Sequence, residues 1–370
     1  MKKSLIALAV LGAIAGAAQA QSSVTIYGIV DTGITYSNHL PTATGTGSKF
    51  SMNSGVIQGS RLGFKGTEDL GNGLKAVFQL ENGFKNDTGA EGVSGTLFNR
   101  KSVVGLSGGF GTVLLGRQTD FLDDAGDMTA VKDFGSIVGN SVHNFDRLEG
   151  NRVQNSVRYN SPDVAGFTGS AIYGFGEQAG KTSGGQSFGL GGMYKNGGLG
   201  LYAGYFQAKL GATPSDTLTG SIAGLFTPAQ LAAAGFTDGS TISKTFSMGG
   251  SFQAGPARLY GNWSRVKVPS LFKQDVFEIG TDYAVTAPLH LLAAVEHVRY
   301  TIEGTSTKPK MTQVNLGADY FMSKRTDLYS FVSYGKGKNG APTGIWDTAA
   351  QDSNGGSNQT SVSVGIRHKF

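Results

Sequence analysis

Polar and hydrophobic residues alternate along most of the chain after residue 22, in runs of roughly ten residues. In the last run, one side of an extended chain carries Val362, Val364, Ile366, His368 and Phe370, and the other carries Ser361, Ser363, Gly365, Arg367 and Lys369. Because strand side chains alternate with period two, such runs predict half-buried β-strands. Clear runs also occupy 152–160, 245–253, 277–285 and 313–320, whereas 98–107 and 289–303 do not sort cleanly and predict bulges or an uncertain register.

The connections between these runs alternate between short and long. Seven short ones, rich in the Gly, Pro, Asn and Asp that tight turns need, lie near 69–73, 108–110, 162–166, 196–198, 255–256, 287–288 and 323–325. Eight longer ones lie near 38–58, 85–97, 119–150, 178–185, 210–243, 269–273, 304–309 and 338–357. Together they predict an all-β fold, a 16-stranded antiparallel transmembrane β-barrel with short periplasmic turns and long external loops.

The N-terminus has the layout of a secretory signal. A basic Met1-Lys-Lys-Ser start precedes an apolar run over 5–18 and an Ala18-Gln-Ala20 cleavage site. We therefore expect residues 1–20 to be a cleaved signal peptide and 21–370 to form the barrel. No other stretch approaches 18 consecutive apolar residues, as a transmembrane helix would require.

Composition excludes several kinds of site. The chain has no cysteine, so neither disulfides nor thiolate metal sites are possible. The formal charge is +5, and loss of Lys2 and Lys3 with the signal would lower it by two to +3. The basic residues form no cluster or recognition-helix pattern, so we expect no nucleic-acid partner. We also expect no cofactor and no bound metal.

Several segments carry a family resemblance. They are 22–28 (SSVTIYG) with Asp31, 59–71 (GSRLGFKGTEDLG), 74–81 (LKAVFQLE), 98–101 (FNRK), 104–106 (VGL), 111–113 (GTV), 115–118 (LGRQ), 155–159 (NSVRY) and the final Phe370. In these segments the chain resembles the trimeric general-diffusion porins of Gram-negative outer membranes, and most closely their beta-proteobacterial branch. The resemblance runs along essentially the whole mature chain.

The resemblance implies a third external loop that folds inward to narrow the pore. That loop corresponds to 119–150, and its acidic residues are Asp120, Asp123, Asp124, Asp127, Asp133, Asp146 and Glu149. It also implies a homotrimer in contact with outer-membrane lipid and lipopolysaccharide, which passes small hydrophilic solutes and ions. The C-terminal Phe370 would then be the assembly signal that the outer-membrane assembly machinery receives.

Strand parity proposes which cations line the pore. Since Leu62 and Phe64 point outward, Arg61 and Lys65 point inward; Lys75 points inward by the same reasoning, and Arg152 and Arg158 share the polar side of their strand. A cation facing lipid at mid-membrane would cost about 2–4 kcal/mol.

Two further arginines are candidates for the same wall. Arg100 has the outward parity of Val104 and Leu106 unless its strand is bulged or ends below it, and Arg117 lies at the entry to the third loop. We expect the cations to face the acidic loop across the pore and to give a weak preference for anions.

Three rival functions remain open on sequence grounds. A barrel enzyme would need a nucleophile with an oriented base, but none of the five histidines lies in a recognisable catalytic context. An adhesive or structural barrel would have a closed lumen. A porin that prefers a particular sugar or organic acid would differ only in one or two pore side chains.

Overall fold

A computed structural model describes residues 23–138, 152–209, 241–341, 343–345 and 357–370. The predicted signal peptide, 1–20, lies outside these residues and stays a prediction. Asp146 and Glu149 of the predicted constriction loop also lie outside them.

Strands make up most of the described chain. They are β1 (Ser23–Thr42), β2 (Gly45–Ser54), β3 (Arg61–Gly71), β4 (Leu74–Lys85), β5 (Ala90–Glu91), β6 (Lys101–Gly108), β7 (Gly111–Thr119), β8 (Arg152–Asn160), β9 (Phe167–Gly174), β10 (Ser187–Asn196), β11 (Leu199–Lys209), β12 (Ile242–Ala254), β13 (Ala257–Val268), β14 (Phe272–Ala284), β15 (Leu289–Ile302), β16 (Lys310–Phe321), β17 (Thr326–Lys338) and β18 (Asn358–Lys369). Within the described parts of the chain, no helix has the length and apolar character needed to cross a membrane.

The strands close into a barrel of 16 staves. Each pairs antiparallel with its neighbours, and β18 pairs with β1 from Ile29–Lys369 to Ser37–Ser361. One of the 16 positions in the barrel is filled by two strands, β2 and β3. β1 pairs with β2 over its second half and with β3 over its first half. The two-residue β5 pairs only with the end of β4, inside the connection to β6. The predicted 16-stranded antiparallel barrel, closed between its first and last strands, is confirmed.

The final strand shows the predicted alternation. Val362, Val364 and Ile366 are exposed on the outside, whereas Ser361 and Arg367 are buried facing the interior. With no sheet edge left open, every strand backbone can satisfy its hydrogen bonds within the barrel, as a membrane-spanning structure requires.

The short turns occur where the sequence predicts them, but two segments that were predicted to be long loops are largely strand or much shorter. All seven short connections lie at one end of the barrel. The segment 38–58 is mostly strand, because β1 continues to Thr42 through an irregularity after Ser37 and β2 begins at Gly45. Only three residues, 269–271, separate β13 from β14. In both segments the strands extend further towards the loop end of the barrel than the residue pattern predicts.

The described part of the third loop, 119–138, folds into the barrel interior, as expected. It contains α1 (Phe121–Ala125) and α2 (Val131–Phe134), each followed by a 3-10 turn, Gly126–Met128 and Gly135–Ile137. Around α1, Phe121 packs in a buried cluster with Ile172 and Phe206. At the opposite wall, Phe134 packs in a second cluster with Phe331, and their ring centroids are 5.3 Å apart.

This inward packing explains why 289–303 does not sort into polar and apolar faces. No bulge or register shift interrupts β15. Its outward face carries Leu291 and Val295, while Leu292, Val298 and Tyr300 are buried on the inward face. The prediction of a bulge was wrong there, because both faces of the strand cover apolar groups. The lumen wall is therefore not uniformly polar.

Candidate pore constriction

Glu81 lies at the centre of a group of cations on the inner wall. Its strand neighbours place Gly63 on one side and Lys101 on the other, and only 8% of Glu81 is exposed. Arg100 Nε donates to Glu81 Oε1 at 2.7 Å, and Arg61 Nη1 lies 4.0 Å from the same oxygen. The Tyr27 hydroxyl donates to Glu81 Oε2 at 2.7 Å. One carboxylate thus holds two guanidinium groups together.

The strand boundary resolves the parity conflict at Arg100. β6 begins at Lys101, so Arg100 lies in the bend before the strand and is not bound to its alternation. Its side chain turns inward to Glu81, although Val104 and Leu106 of the same strand are exposed on the outside. The sequence allowed Arg100 to point inward if its strand ended below it, and the strand does end there.

Arg158 extends the group of cations towards the third loop. It is 5% exposed and pairs with Asp124 through Nη2. Its Nη1 donates to the Thr119 carbonyl at 2.7 Å, and its Nε donates to Asn160 Oδ1 at 2.9 Å. The side chain is therefore fixed in one orientation between the strands and the loop.

Lys101 belongs to the same group but was missed by sequence reasoning. It interacts electrostatically with Arg158, Asp124 and Glu81. Its inward parity is shared by Val103, a buried valine, so the strand shows no polar face at this point. The usable signal is its position directly opposite the inward-facing Glu81.

Arg152 reaches the group from the start of β8. The register between β7 and β8 shifts by one residue, and Asn155 in this segment has a φ of 49°. Arg152 and Arg158 therefore do not share one side by simple alternation, which corrects that prediction. Arg152 Nε instead donates to the Arg100 carbonyl at 3.2 Å, and its charge acts on Arg61.

Arg117 lies away from the lumen, which corrects its assignment to the pore wall. It alternates with Leu115, which is 49% exposed on the outside, while its neighbour Gln118 is fully buried and bonded to the inward Ser156 hydroxyl. Arg117 Nε donates to the Asn99 carbonyl at 2.8 Å. Arg117 lies at the entry to the third loop in the sequence, but its side chain does not face the pore.

Lys65 and Lys75 have inward parity but lie further towards the turns. Lys65 is four residues along β3 from Arg61, a separation of about 13 Å at the rise of a β-strand. Its ammonium lies 5.4 Å from the centre of the Tyr27 ring. Lys75 is exposed and lies opposite Asp69 in the strand register, next to the turn. Neither lysine joins the group around Glu81.

The acidic residues at the start of the third loop make different interactions. Asp120 caps α1, since its side chain accepts from the Leu122 amide at 3.0 Å. Asp123 interacts electrostatically with Arg61 and Lys101. Asp124 pairs with Arg158.

The remaining described acids of the loop lie further across the lumen. Asp127 is exposed and lines an internal cavity of about 630 Å³ below the loop. Asp133 is 8% exposed and pairs with Arg258 of β13 on the far wall. The described part of the loop is therefore held by acid–base pairs at both walls.

Removal of water around these carboxylates opposes their ionisation. It raises the pKa of Asp124, and the Arg158 charge opposes that effect. Burial likewise raises the pKa of Asp133, opposed by the charge of Arg258. Both groups should therefore take up a proton at a higher pH than an ordinary aspartate.

Hydrogen bonds and a close backbone approach fix the loop where it meets the far wall. The Ala130 amide donates to Glu278 Oε1 at 2.7 Å, and Gln313 Nε2 donates to the Ile137 carbonyl at 2.7 Å. Gly135 has a φ of 53°, and a Cβ there would lie 2.1 Å from the Ile57 carbonyl oxygen. Glycine is required by both the backbone conformation and the close approach.

The group on the near wall has an excess of positive charge. We call it the basic cluster, and it comprises five cations, Arg61, Arg100, Lys101, Arg152 and Arg158, with three carboxylates, Glu81, Asp123 and Asp124. Its formal charge is therefore two positive. A group like this beside a water-filled passage stabilises permeating anions over cations. Among the described residues, no set of three or more His, Asp or Glu side chains could hold a metal ion.

Fold and site together define a class: a closed outer-membrane barrel whose interior is narrowed by an inward loop and a charged wall. The model of the Gram-negative porin family matches residues 7–340, and the chain belongs to that family. Members are channel proteins, so this chain is an outer-membrane porin and not an enzyme.

Individual relatives agree with this membership. The chain is 35% identical to outer membrane porin protein 32 of Delftia acidovorans and 33% identical to major outer membrane protein P.IB of Neisseria gonorrhoeae, in both cases over 100% of each chain. A solved anion-selective porin from Comamonas acidovorans superposes with a TM-score of 0.74 at 29% identity, covering 95% of this chain and 100% of that one.

Proposed function

We propose that this porin prefers anions and that the basic cluster is the origin of the preference. The observation that carries the proposal is the excess of two positive charges at the wall against which the third loop packs. The solved relative whose title names it anion-selective supports the same sign. Solutes pass by diffusion, since the site offers a charged passage and no reacting group.

Within the cluster, Arg61 and Arg100 are assigned the main role. Arg61 retains 20% and Arg100 21% of its side-chain exposure, so both can meet a passing ion. Arg158 is more deeply buried and donates to four acceptors. Its role is to fix Asp124 and the start of the loop.

The functional unit is proposed to be a homotrimer. On the outside of β1 and β2, apolar residues remain exposed up to the loop end, including Ile34 at 50%, Phe50 at 76% and Met52 at 55%. Such a surface suits contact with another copy or with lipid. A cleaved signal over 1–20 and delivery by the assembly machinery through Phe370 complete the proposal, as does contact with outer-membrane lipid and lipopolysaccharide.

Reversal potentials in a potassium chloride gradient test the proposed selectivity. The reversal potential of wild-type channels should have the sign of the chloride equilibrium potential, and Arg61→Ser should shift it towards zero. Lys65→Ser is the matched control, because it removes an inward cation about 13 Å away along the same strand and should change little. A strong potassium preference in wild type would refute the sign, and an unchanged Arg61→Ser would refute the role of that residue.

A further inference from the structure

A second group of charged side chains lines the cavity on the turn side of the third loop. We call this cavity of about 630 Å³ the inner cavity. Five basic side chains and four carboxylates line it, and Asp327, which pairs with the lining Arg367, adds a fifth carboxylate. The charges of the inner cavity are therefore balanced, whereas the basic cluster has an excess of two positive charges.

The inner cavity lies further towards the turns than the basic cluster. Arg61 begins β3 at its loop end, whereas Arg258 and Asp319 lie within three residues of the turn ends of β13 and β16. A solute that enters from the loop end therefore passes the basic cluster before it reaches the inner cavity.

Strand register places opposite charges next to each other along one wall of the inner cavity. Arg258 lies opposite Asp282, and His290 lies opposite Asp319. Arg258 nevertheless pairs with Asp133 of the third loop, and His290 Nδ1 lies 2.7 Å from Asp282 Oδ1. The guanidinium and the carboxylate are thus drawn to other partners although their strands are adjacent.

The two ends of this wall keep polar atoms that have no hydrogen-bond partner among the described residues. At one end, Arg258 is 7% exposed and lacks partners for Nε and Nη1. At the other end, Asp319 is also 7% exposed and lacks a partner for Oδ1, while its Oδ2 lies 3.8 Å from Arg367. Buried polar atoms without partners are unfavourable, so a ligand that supplies partners is stabilised at both ends.

The end around Asp319 suits a positively charged group. The charge of Asp282 acts on Asp319, and a cation between two such carboxylates is attracted by both. Phe321 borders this end, with its ring centroid 5.0 Å from that of His290, and Leu292 lines the cavity beside it. Methylene groups that follow the positive group therefore meet apolar side chains.

The charges along the route distinguish between classes of ligand. A simple cation is repelled by the basic cluster before it reaches the inner cavity. A simple anion can meet Arg258 but is repelled by Asp282 and Asp319. A zwitterion has no net charge on the way in and finds an opposite charge for each of its ends.

We propose that the inner cavity binds zwitterionic solutes whose ammonium and carboxylate groups are joined by a short flexible chain. The ammonium group lies between Asp282 and Asp319, and the carboxylate accepts hydrogen bonds from Arg258. From Arg258 to Asp319 the wall crosses three strand spacings, about 14 Å between backbones, which favours solutes longer than an α-amino acid. The proposal rests on the proposed diffusion of solutes through this pore and names one class of them.

The first test compares probes of matched length on the purified full-length protein in detergent at pH 8. They are 5-aminopentanoate, pentanoate and pentylamine, and the alkyl amino groups are protonated at this pH. Measured by ligand-observed NMR, 5-aminopentanoate should bind at least fivefold more tightly than either singly charged probe, and glycine should also bind more weakly. Equal binding of the three matched probes would overturn the proposal. Tightest binding of pentanoate or of pentylamine would overturn it too, in favour of a plain anion or cation site.

Single substitutions assign the two ends of the site. Asp319→Asn removes the acidic end, and Arg258→Lys keeps a cation beside Asp133 but lacks the guanidinium nitrogens that have no partner. Each should weaken binding of 5-aminopentanoate at least fivefold. Asp319→Asn should also strengthen pentanoate relative to 5-aminopentanoate, which a merely misfolded site would not do.

Asp127→Asn is the matched control for these variants. Asp127 is an exposed carboxylate of the third loop that lines the same cavity, so its loss should leave the affinity within twofold. An equal loss of affinity in Asp127→Asn and Asp319→Asn would overturn the assignment. Heat-dependent migration on gels shows which variants are folded, and the comparison of probes on wild type decides the proposal if Arg258→Lys does not fold.

Single-channel recording separates this proposal from the proposed anion preference. Because 5-aminopentanoate carries no net charge, its binding should reduce the chloride current of wild type without changing the reversal potential. The reduction should be at least fivefold less sensitive to concentration in Asp319→Asn. Chloride preference without any reduction by 5-aminopentanoate would overturn this proposal alone. A reduction in channels that lack chloride preference would refute the proposed selectivity alone.

Discussion

Replacing Glu81 by a neutral residue should make the channel more selective for anions. If Glu81 only held the arginines in place, its loss would instead weaken the preference for anions. The Glu81→Gln side chain keeps the shape and one acceptor oxygen for Arg100. It removes a carboxylate that contacts both Arg61 and Arg100. The formal charge of the basic cluster would rise from two to three positive.

The size of the effect follows from Coulomb's law. An ion passing about 8 Å from the carboxylate in water interacts with it by about 0.5 kcal/mol. Loss of the charge would favour an anion and disfavour a cation by that amount each, which changes the permeability ratio about fivefold. Screening at 0.1 M salt, where the Debye length is about 10 Å, reduces the change to about twofold.

The assay is the reversal potential of single channels in a potassium chloride gradient, recorded at low and high ionic strength. Glu81→Gln should reverse closer to the chloride equilibrium potential than wild type, and the difference should shrink as salt is raised. Glu68→Gln is the matched control, because Glu68 is exposed on the outward side of β3. A shift of Glu81→Gln towards potassium, or an equal shift in the control, would refute the reasoning.

Three other perturbations test separate parts of the account. Because the pKa of Asp133 is raised, its carboxylate should become neutral as the pH falls while ordinary aspartates remain charged; anion preference should therefore increase on mild acidification, and Asp133→Asn should show a smaller pH dependence in the same recordings. Gly28→Ala should lower the yield of folded barrel, measured by heat-dependent migration on gels, because its Cβ would lie 2.3 Å from the C-terminal phenylalanine ring; Gly109→Ala, which meets no atom within 4 Å, is the control, and equal yields would contradict the prediction. Gly135→Ala should displace the third loop and raise single-channel conductance, whereas Gly126→Ala, with 3.9 Å to its nearest neighbour, should not; an unchanged conductance in Gly135→Ala would show that the loop does not depend on this contact.

The barrel was predictable because period-two alternation and turn residues are local signals. The strand carrying Val362, Val364 and Ile366 has the orientation that alternation requires. Alternation failed at β15, where Leu292 and Val298 face inward, because the folded-in loops give the lumen apolar neighbours that no local pattern reveals.

The candidate site was predictable only where alternation is unbroken. Arg61 follows from its strand, but Arg152 lies beyond a register shift and Lys101 shares its face with a buried valine. The partners of the third loop, Glu278 and Arg258, lie more than a hundred residues further along the chain. Their contacts depend on closure of the barrel, so the sequence alone could not pair them.

The most direct test of the central claim is the permeability of chloride relative to potassium in wild-type channels, measured from the reversal potential across a salt gradient. The excess positive charge of the basic cluster predicts chloride permeability above that of potassium, with a ratio that decreases as ionic strength rises. A ratio below one at low salt, or the absence of stable channels in the bilayer, would contradict the account.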